Sequence, residues 1–219
     1  MKQFLRSNNI LLLLPAILLL ASCGNPYRKL QPSDGSQPSA LAYKPSFEKE
    51  LYRCTVNGKV LFKKFHLSGV LFFKTMPEHA TRVVFQNEMG FAFFDFEWNA
   101  ADSFTVKQII PQLNKSAVVK TLRKDMELLL MRHLKKATEQ IFTADNEWYH
   151  RFTLDKGFAY YVIDSQKLVR IENAGNKKVI TMTVGEKQTP EAMPEAVFIK
   201  HHKAHFTIAL KKIEQHADE

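Results

Sequence analysis

The sequence predicts a mostly-β domain of the α+β class, with about eleven or twelve short antiparallel strands around one main helix inserted mid-chain. Three observations lead there. From Phe47 to Ile213 most segments alternate with period two, and clusters of Gly, Asn, Asp and Pro separate them. One stretch alone, about Ser116 to Ala137, changes to three- and four-residue spacing. No proline occurs between Pro111 and Pro190, so no domain boundary is marked there. The 219 residues include 17 Phe, enough aromatic mass for one packed core.

In chain order, residues 1–22 come first. Lys2 and Arg6 precede an apolar run from Ile10 to Leu20, and Ala21 and Ser22 supply small residues before a cut. That is the three-part pattern of an export signal. The run is about half the ~20 residues a membrane-spanning helix needs. Residues 23–46 carry Pro26, Pro32, Pro38 and Pro45 among Ser and Gln residues, and read as a flexible, solvated tether with a reach of roughly 25 Å. Residues 47–219 form the single β-rich domain.

The first strands follow. Glu48–Val56 and Lys59–Phe65 flank Asn57-Gly58, which reads as a type I′ hairpin turn. Leu67–Thr75, Thr81–Glu88, Phe91–Trp98 and Phe104–Ile110 come next. Several carry large apolar groups on both faces: Ala92, Phe94, Phe96 and Trp98 on one side, Phe91 and Phe93 on the other. Antiparallel sheets usually have one wet face. Either both faces are covered, or a concave face holds an apolar ligand.

Ser116 is the expected N-cap of the helix. Val119, Leu122, Met126, Leu129 and His133 form its apolar stripe, with His133 as a core histidine, while Lys120, Arg123, Lys124, Arg132, Lys135 and Lys136 make the rest basic. The strands then resume over Glu147–Leu154, Gly157–Asp164, Lys167–Asn173, Lys177–Val184, Ala196–His201 and His205–Ile213.

Composition excludes several chemistries. The chain has no Gly-rich phosphate loop, His-Glu-x-x-His, Cys-x-x-Cys or Gly-x-Ser-x-Gly, so no cofactor, metal or catalytic residue is expected and the chain does not read as an enzyme. His201-His202-x-x-His205 reads as a tight turn, and Asp95 with Glu97 as a solvated face. The net charge of +9 suits anionic headgroups or an acidic partner, and export argues against nucleic acid. Of the two cysteines, Cys54 reads as a small buried hydrophobe.

Leu20-Ala21-Ser22-Cys23 resembles the lipobox of bacterial lipoproteins. The resemblance implies cleavage before Cys23, acylation of Cys23 and anchorage of the chain in a membrane. Gly24 follows where inner-membrane lipoproteins carry Asp, which implies the outer membrane, facing the periplasm. Further on, Phe65-x-Leu67-Ser68-Gly69-Val70-Leu71 and Phe85-x-x-Glu88-Met89-Gly90, in the order lipobox, tether, strands, helix, strands, resemble the LolA/LolB superfamily of lipoprotein carriers. That resemblance implies a strongly curved sheet or half-barrel, a helix across its mouth and acyl chains held in the hollow. It implies a lining of Leu71, Phe73, Phe85, Phe94, Phe96, Trp98 and Tyr161, closed by Leu122, Met126 and Leu129. Met76, beside Pro77, would be the apolar membrane-contact loop. The expected function is an outer-membrane lipoprotein that binds acyl chains of lipids or other lipoproteins. The alternative is a structural lipoprotein that docks on an envelope protein complex and carries no lipid.

Overall fold

A computed structural model describes residues 25–33, 37–60 and 63–214. Cys23 and the signal segment lie outside the described residues. Thirteen strands form one sheet: β1 (Gln31–Pro32), β2 (Lys49–Val60), β3 (Lys63–Thr75), β4 (Thr81–Gln86), β5 (Ala92–Trp98), β6 (Phe104–Ile109), β7 (Gln140–Ala144), β8 (Glu147–Thr153), β9 (Phe158–Asp164), β10 (Lys167–Ala174), β11 (Lys178–Val184), β12 (Ala196–His201) and β13 (Phe206–Lys212). Helix α1 (Ser116–Leu129) joins β6 to the second set. The strand order is β1-β7-β8-β9-β10-β11-β12-β13-β2-β3-β4-β5-β6, antiparallel throughout. β1 forms one edge of the sheet; from β2 in mid-sheet the chain meanders to the other edge at β6, crosses through α1 to β7 beside β1, and meanders back to pair β13 with β2. The sheet does not close, and it curves into a half-barrel as expected.

Four local readings are corrected. Asn57-Gly58 is not a turn. Both residues lie inside β2, where Asn57 pairs with His66 and Gly58 with Phe65. Gly58 is needed for space: a Cβ there would sit 2.3 Å from the Phe65 ring and 2.7 Å from Phe206 Cβ. Gly69 has a similar task, since its Cβ would meet Gln86 O at 2.0 Å. The helix ends at Leu129, well before Ala137, and Ser116 is its first residue; the N-cap is Lys115, which makes no side-chain capping bond. His133 therefore lies beyond the helix, at φ 60°, exposed and 3.1 Å from Glu127 Oε1. The register shift at Phe85/Gln86 between β4 and β5 turns Phe93 toward the core, where its ring packs 4.8 Å from that of Phe85.

The segment read as tether is laid on the domain over its described residues. Tyr27 stacks on Tyr160 with 4.1 Å between ring centroids, and its hydroxyl donates to Glu172 Oε2 at 2.5 Å. β1 then pairs with β7 at the sheet edge. Residues 39–47 form a strap with a 3-10 turn at Ala40–Tyr43. Ala40 is fully buried, and Leu41, Tyr43 and Phe47 pack against the core. Proline and serine content suggested a solvated linker. Two aromatic side chains, Tyr27 and Tyr43, anchor it instead.

Candidate functional site: the covered hollow

The inner face of the half-barrel is built from alternate residues of both meanders. Tyr52, Leu71, Phe85 and Phe94 lie in register across β2 to β5, and Phe73, Val83 and Phe96 form the next row. Phe152, Tyr161, Ile171, Met182 and Ile199 come from the returning strands. Alternation in strands sends these side chains to one face.

Helix α1 crosses this face and touches both meanders. Trp98 Nε1 in β5 donates to Glu127 at 3.2 Å, and the Arg123 guanidinium lies 4.7 Å over the Phe104 ring of β6. On the other side the buried Tyr161 hydroxyl donates to the Leu128 carbonyl at 2.9 Å. Between them His201 Nε2 of β12 meets Asp125 Oδ2 at 3.1 Å, both side chains buried. The sequence signalled neither member of this pair. The second Asp125 oxygen, Oδ1, is buried without a partner among the described residues. Desolvation raises the Asp125 pKa above 3.8, against the lowering effect of the His201 hydrogen bond and charge.

All ten residues expected to line the hollow are buried and belong to one core: Leu71, Phe73, Phe85, Phe94, Phe96, Trp98, Leu122, Met126, Leu129 and Tyr161. The most exposed of them, Leu122, reaches 8%. The helix residues thus fill the space over the strand residues. With Met126, three more methionines are at 1% exposure or less: Met131, Met182 and Met193. Only Met126 was expected. Unbranched, polarizable thioether chains repack readily around different shapes.

The strap is the second cover. Ser39 Oγ donates to Glu139 Oε2 at 2.5 Å, and the Ala40 N–H donates to Glu139 Oε1 at 2.8 Å. Tyr43 OH donates to Gln166 O at 2.7 Å, and Lys187 Nζ to Tyr43 O at 2.9 Å. Ser46 N donates to Glu191 O at 2.8 Å. Burial lowers the Lys187 pKa to about 8, opposed by the charge of Glu191. Burial alone pushes the Cys54 thiol up to about 12, which makes it an inert core group.

The remaining expected groups are dispersed. Met76 is half-buried in a tight turn, its N–H bonded to Ala80 O at 2.7 Å. The apolar side chains that stand out are Met89, 91% exposed, and Phe91, 57% exposed, at the β4–β5 turn. Their neighbour Gly90 gave a turn signal, but alternation gave no sign of the projection. His202 bonds Thr181 Oγ1 at 2.9 Å and His205 sits at φ 51°, so the three histidines do not converge. Asp95 is buried against Arg82 at 2.5 Å, and Glu97 pairs with Lys107 at 3.5 Å.

No family model matches the chain. No curated protein matches it either. Solved structures resemble it at low identity. One is a domain from Vibrio parahaemolyticus described as an outer membrane lipoprotein-sorting protein: 8% identical, covering 82% of this chain and 91% of that one, TM-score 0.45. A DUF1329 family protein from Desulfovibrio piger is 8% identical over 82% and 92% of the two chains, TM-score 0.42. A LolA superfamily protein from Nitrosomonas europaea is 7% identical over 80% and 89%, TM-score 0.45.

Proposed function

We propose that this chain is a non-enzymatic lipoprotein of the bacterial outer membrane, anchored through acylated Cys23, that binds acyl chains between its sheet and α1. One observation carries the reading. Leu122, Met126 and Leu129 of α1 occupy the open side of an apolar half-barrel, held there mostly by contacts that have no direction. Each such side chain contributes about 1.5–3 kcal/mol by burial, and an acyl chain contributes about 0.8 kcal/mol per buried CH₂. Lifting the helix therefore exchanges one apolar filling for another. The helix suits this task because it has no side-chain cap, no acid in its first turn and no base in its last, so its stability comes from docking. The projecting Met89 and Phe91 are the apolar tip that would meet the membrane, in place of Met76.

Lipid extraction of the full chain purified in mild detergent tests this. Acyl lipid in stoichiometric amount is the expected result. Lipid-free protein from every preparation, together with no uptake of a fluorescent fatty acid, overturns it. The tight packing of all ten lining residues favours a second reading, a dry-cored domain that docks on an envelope protein complex. Under that reading the same extraction finds nothing.

A further inference from the structure

We propose that the cleft at the C-terminal end of α1 binds the phosphate of an anionic phospholipid headgroup whose chains enter the hollow, an inference that rests on the acyl-binding reading. The cleft has a volume of about 510 Å³, and the basic side chains Arg123, Lys124, Arg132, His133 and Lys135 that line it outnumber its two carboxylates, Glu127 and Asp155. That size falls within the range of about 300–1,000 Å³ for small-molecule sites.

The charges are unevenly committed. Arg123 pairs with Glu127 at 2.6 Å, but the ammonium groups of Lys124 and Lys135 have no ion pair or hydrogen bond among the described residues. Arg132 bonds Asp102 and Thr81 through its terminal nitrogens, and its guanidinium lies 5.7 Å from the Trp98 ring. Its Nε is buried and has no partner among the described residues. Two uncommitted ammonium groups, Lys124 and Lys135, thus line one cleft with spare capacity for an anion.

The floor separates a lipid from free phosphate. Leu128 lines the cleft while its side chain belongs to the buried core, and half-buried Leu134 and Leu154 sit beside it. A phosphate held by Lys124 and Lys135 leaves its glycerol and acyl chains at the rim of the hollow.

Native mass spectrometry of the full chain released from maltoside micelles tests the site, using dioctanoyl phosphatidylglycerol, dioctanoylglycerol and inorganic phosphate. The phospholipid is expected to bind about tenfold or more tightly than dioctanoylglycerol. The double variant Lys124→Glu/Lys135→Glu abolishes that difference and leaves dioctanoylglycerol binding unchanged. Lys135 is exposed and Lys124 half-buried, and an unchanged thermal midpoint verifies that the variant keeps its fold. Equal binding of both lipids overturns the headgroup site and leaves the acyl reading standing. Lysine-dependent binding of inorganic phosphate with no lipid binding assigns the cleft to a soluble phosphate and overturns both readings. Binding of none of the three also overturns both.

Discussion

The two covers of the hollow are held by different physics. Helix α1 is held mainly by Leu122, Met126, Leu128 and Leu129, with three polar ties: the buried Asp125–His201 pair, the Tyr161 hydroxyl on the Leu128 carbonyl and Trp98 Nε1 on Glu127. The strap over residues 39–47 buries one small residue fully and is tied by directional bonds to Glu139, Gln166, Lys187 and Glu191. Apolar contacts can be replaced by an acyl chain, whereas a lost main-chain hydrogen bond inside a protein is not replaced by one. The comparison assigns movement to the helix and fixity to the strap. The strap also continues directly from the segment that Tyr27 pins to Tyr160 and Glu172. The strap is therefore the cover nearer in sequence to Cys23, the proposed anchor.

The largest effect tests the polar element of the helix cover. His201→Leu leaves Asp125 buried without its partner, and is expected to cost about 3–5 kcal/mol, measured by denaturant unfolding. Asp125→Asn added to that variant should recover most of the loss. Alone, Asp125→Asn should also flatten part of the pH–stability profile. A carboxyl whose folded pKa is raised binds protons more readily in the fold than in the unfolded chain. Its contribution is full below 3.8 and falls as pH rises through the raised value. A His201→Leu variant as stable as the parent would remove the latch from this account.

Met126→Ala comes next, and it sharpens the contrast. In a dry core the truncation costs about 2–5 kcal/mol through lost contact and a cavity. In the acyl-binding reading, lipid-loaded protein fills that cavity and loses much less. Equal losses with and without bound lipid would place Met126 away from the ligand.

These tests fall on features that were unequally legible in the sequence. Period-two alternation located eleven of the thirteen strands, because burial on one sheet face enforces that period, and three- and four-residue spacing marked Leu122, Met126 and Leu129 on the helix. The two-residue β1 and the short β7 carry too little pattern to be seen. Asn57-Gly58 misled because a glycine needed for the Phe65 ring is indistinguishable, in one sequence, from a glycine needed for a positive φ. Asp125 lay among charged helix residues, and His201 in a histidine cluster. Their meeting depends on how α1 crosses the sheet, which no local pattern encodes. The strap's proline and serine content was real, but a few aromatic contacts overrode it.

Glu139→Ala addresses the strap. It removes the acceptor of Ser39, of the Ala40 amide and of His150, and is expected to cost about 1–3 kcal/mol. Hydrogen exchange should locate the effect: the Ala40 amide exchanges faster while the amides of α1 stay protected. Acceleration spread equally over α1 would mean that the two covers open as one unit, contrary to the comparison.

The smallest effect concerns pH. Burial disfavours the charged form of Lys187, so its pKa falls from 10.5 to about 8, although its ammonium donates to Tyr43 O and lies near Glu191. A lysine with a depressed folded pKa binds fewer protons in the fold than in the unfolded chain between those two values. Stability then rises with pH across that window, and the contribution is full above 10.5 and lost as pH falls through about 8. Neutral Lys187 still has N–H groups to donate to Tyr43 O, so deprotonation removes a desolvation cost without breaking the clasp. Exchange at Lys44 and Ser46, beside Tyr43, should therefore slow as pH rises through this window once intrinsic rates are divided out. In Lys187→Met that pH dependence should disappear, while α1 is unaffected at either pH. If α1 protection follows Lys187, the strap is no longer the independent, fixed cover, and charge at the strap would govern the opening of the helix.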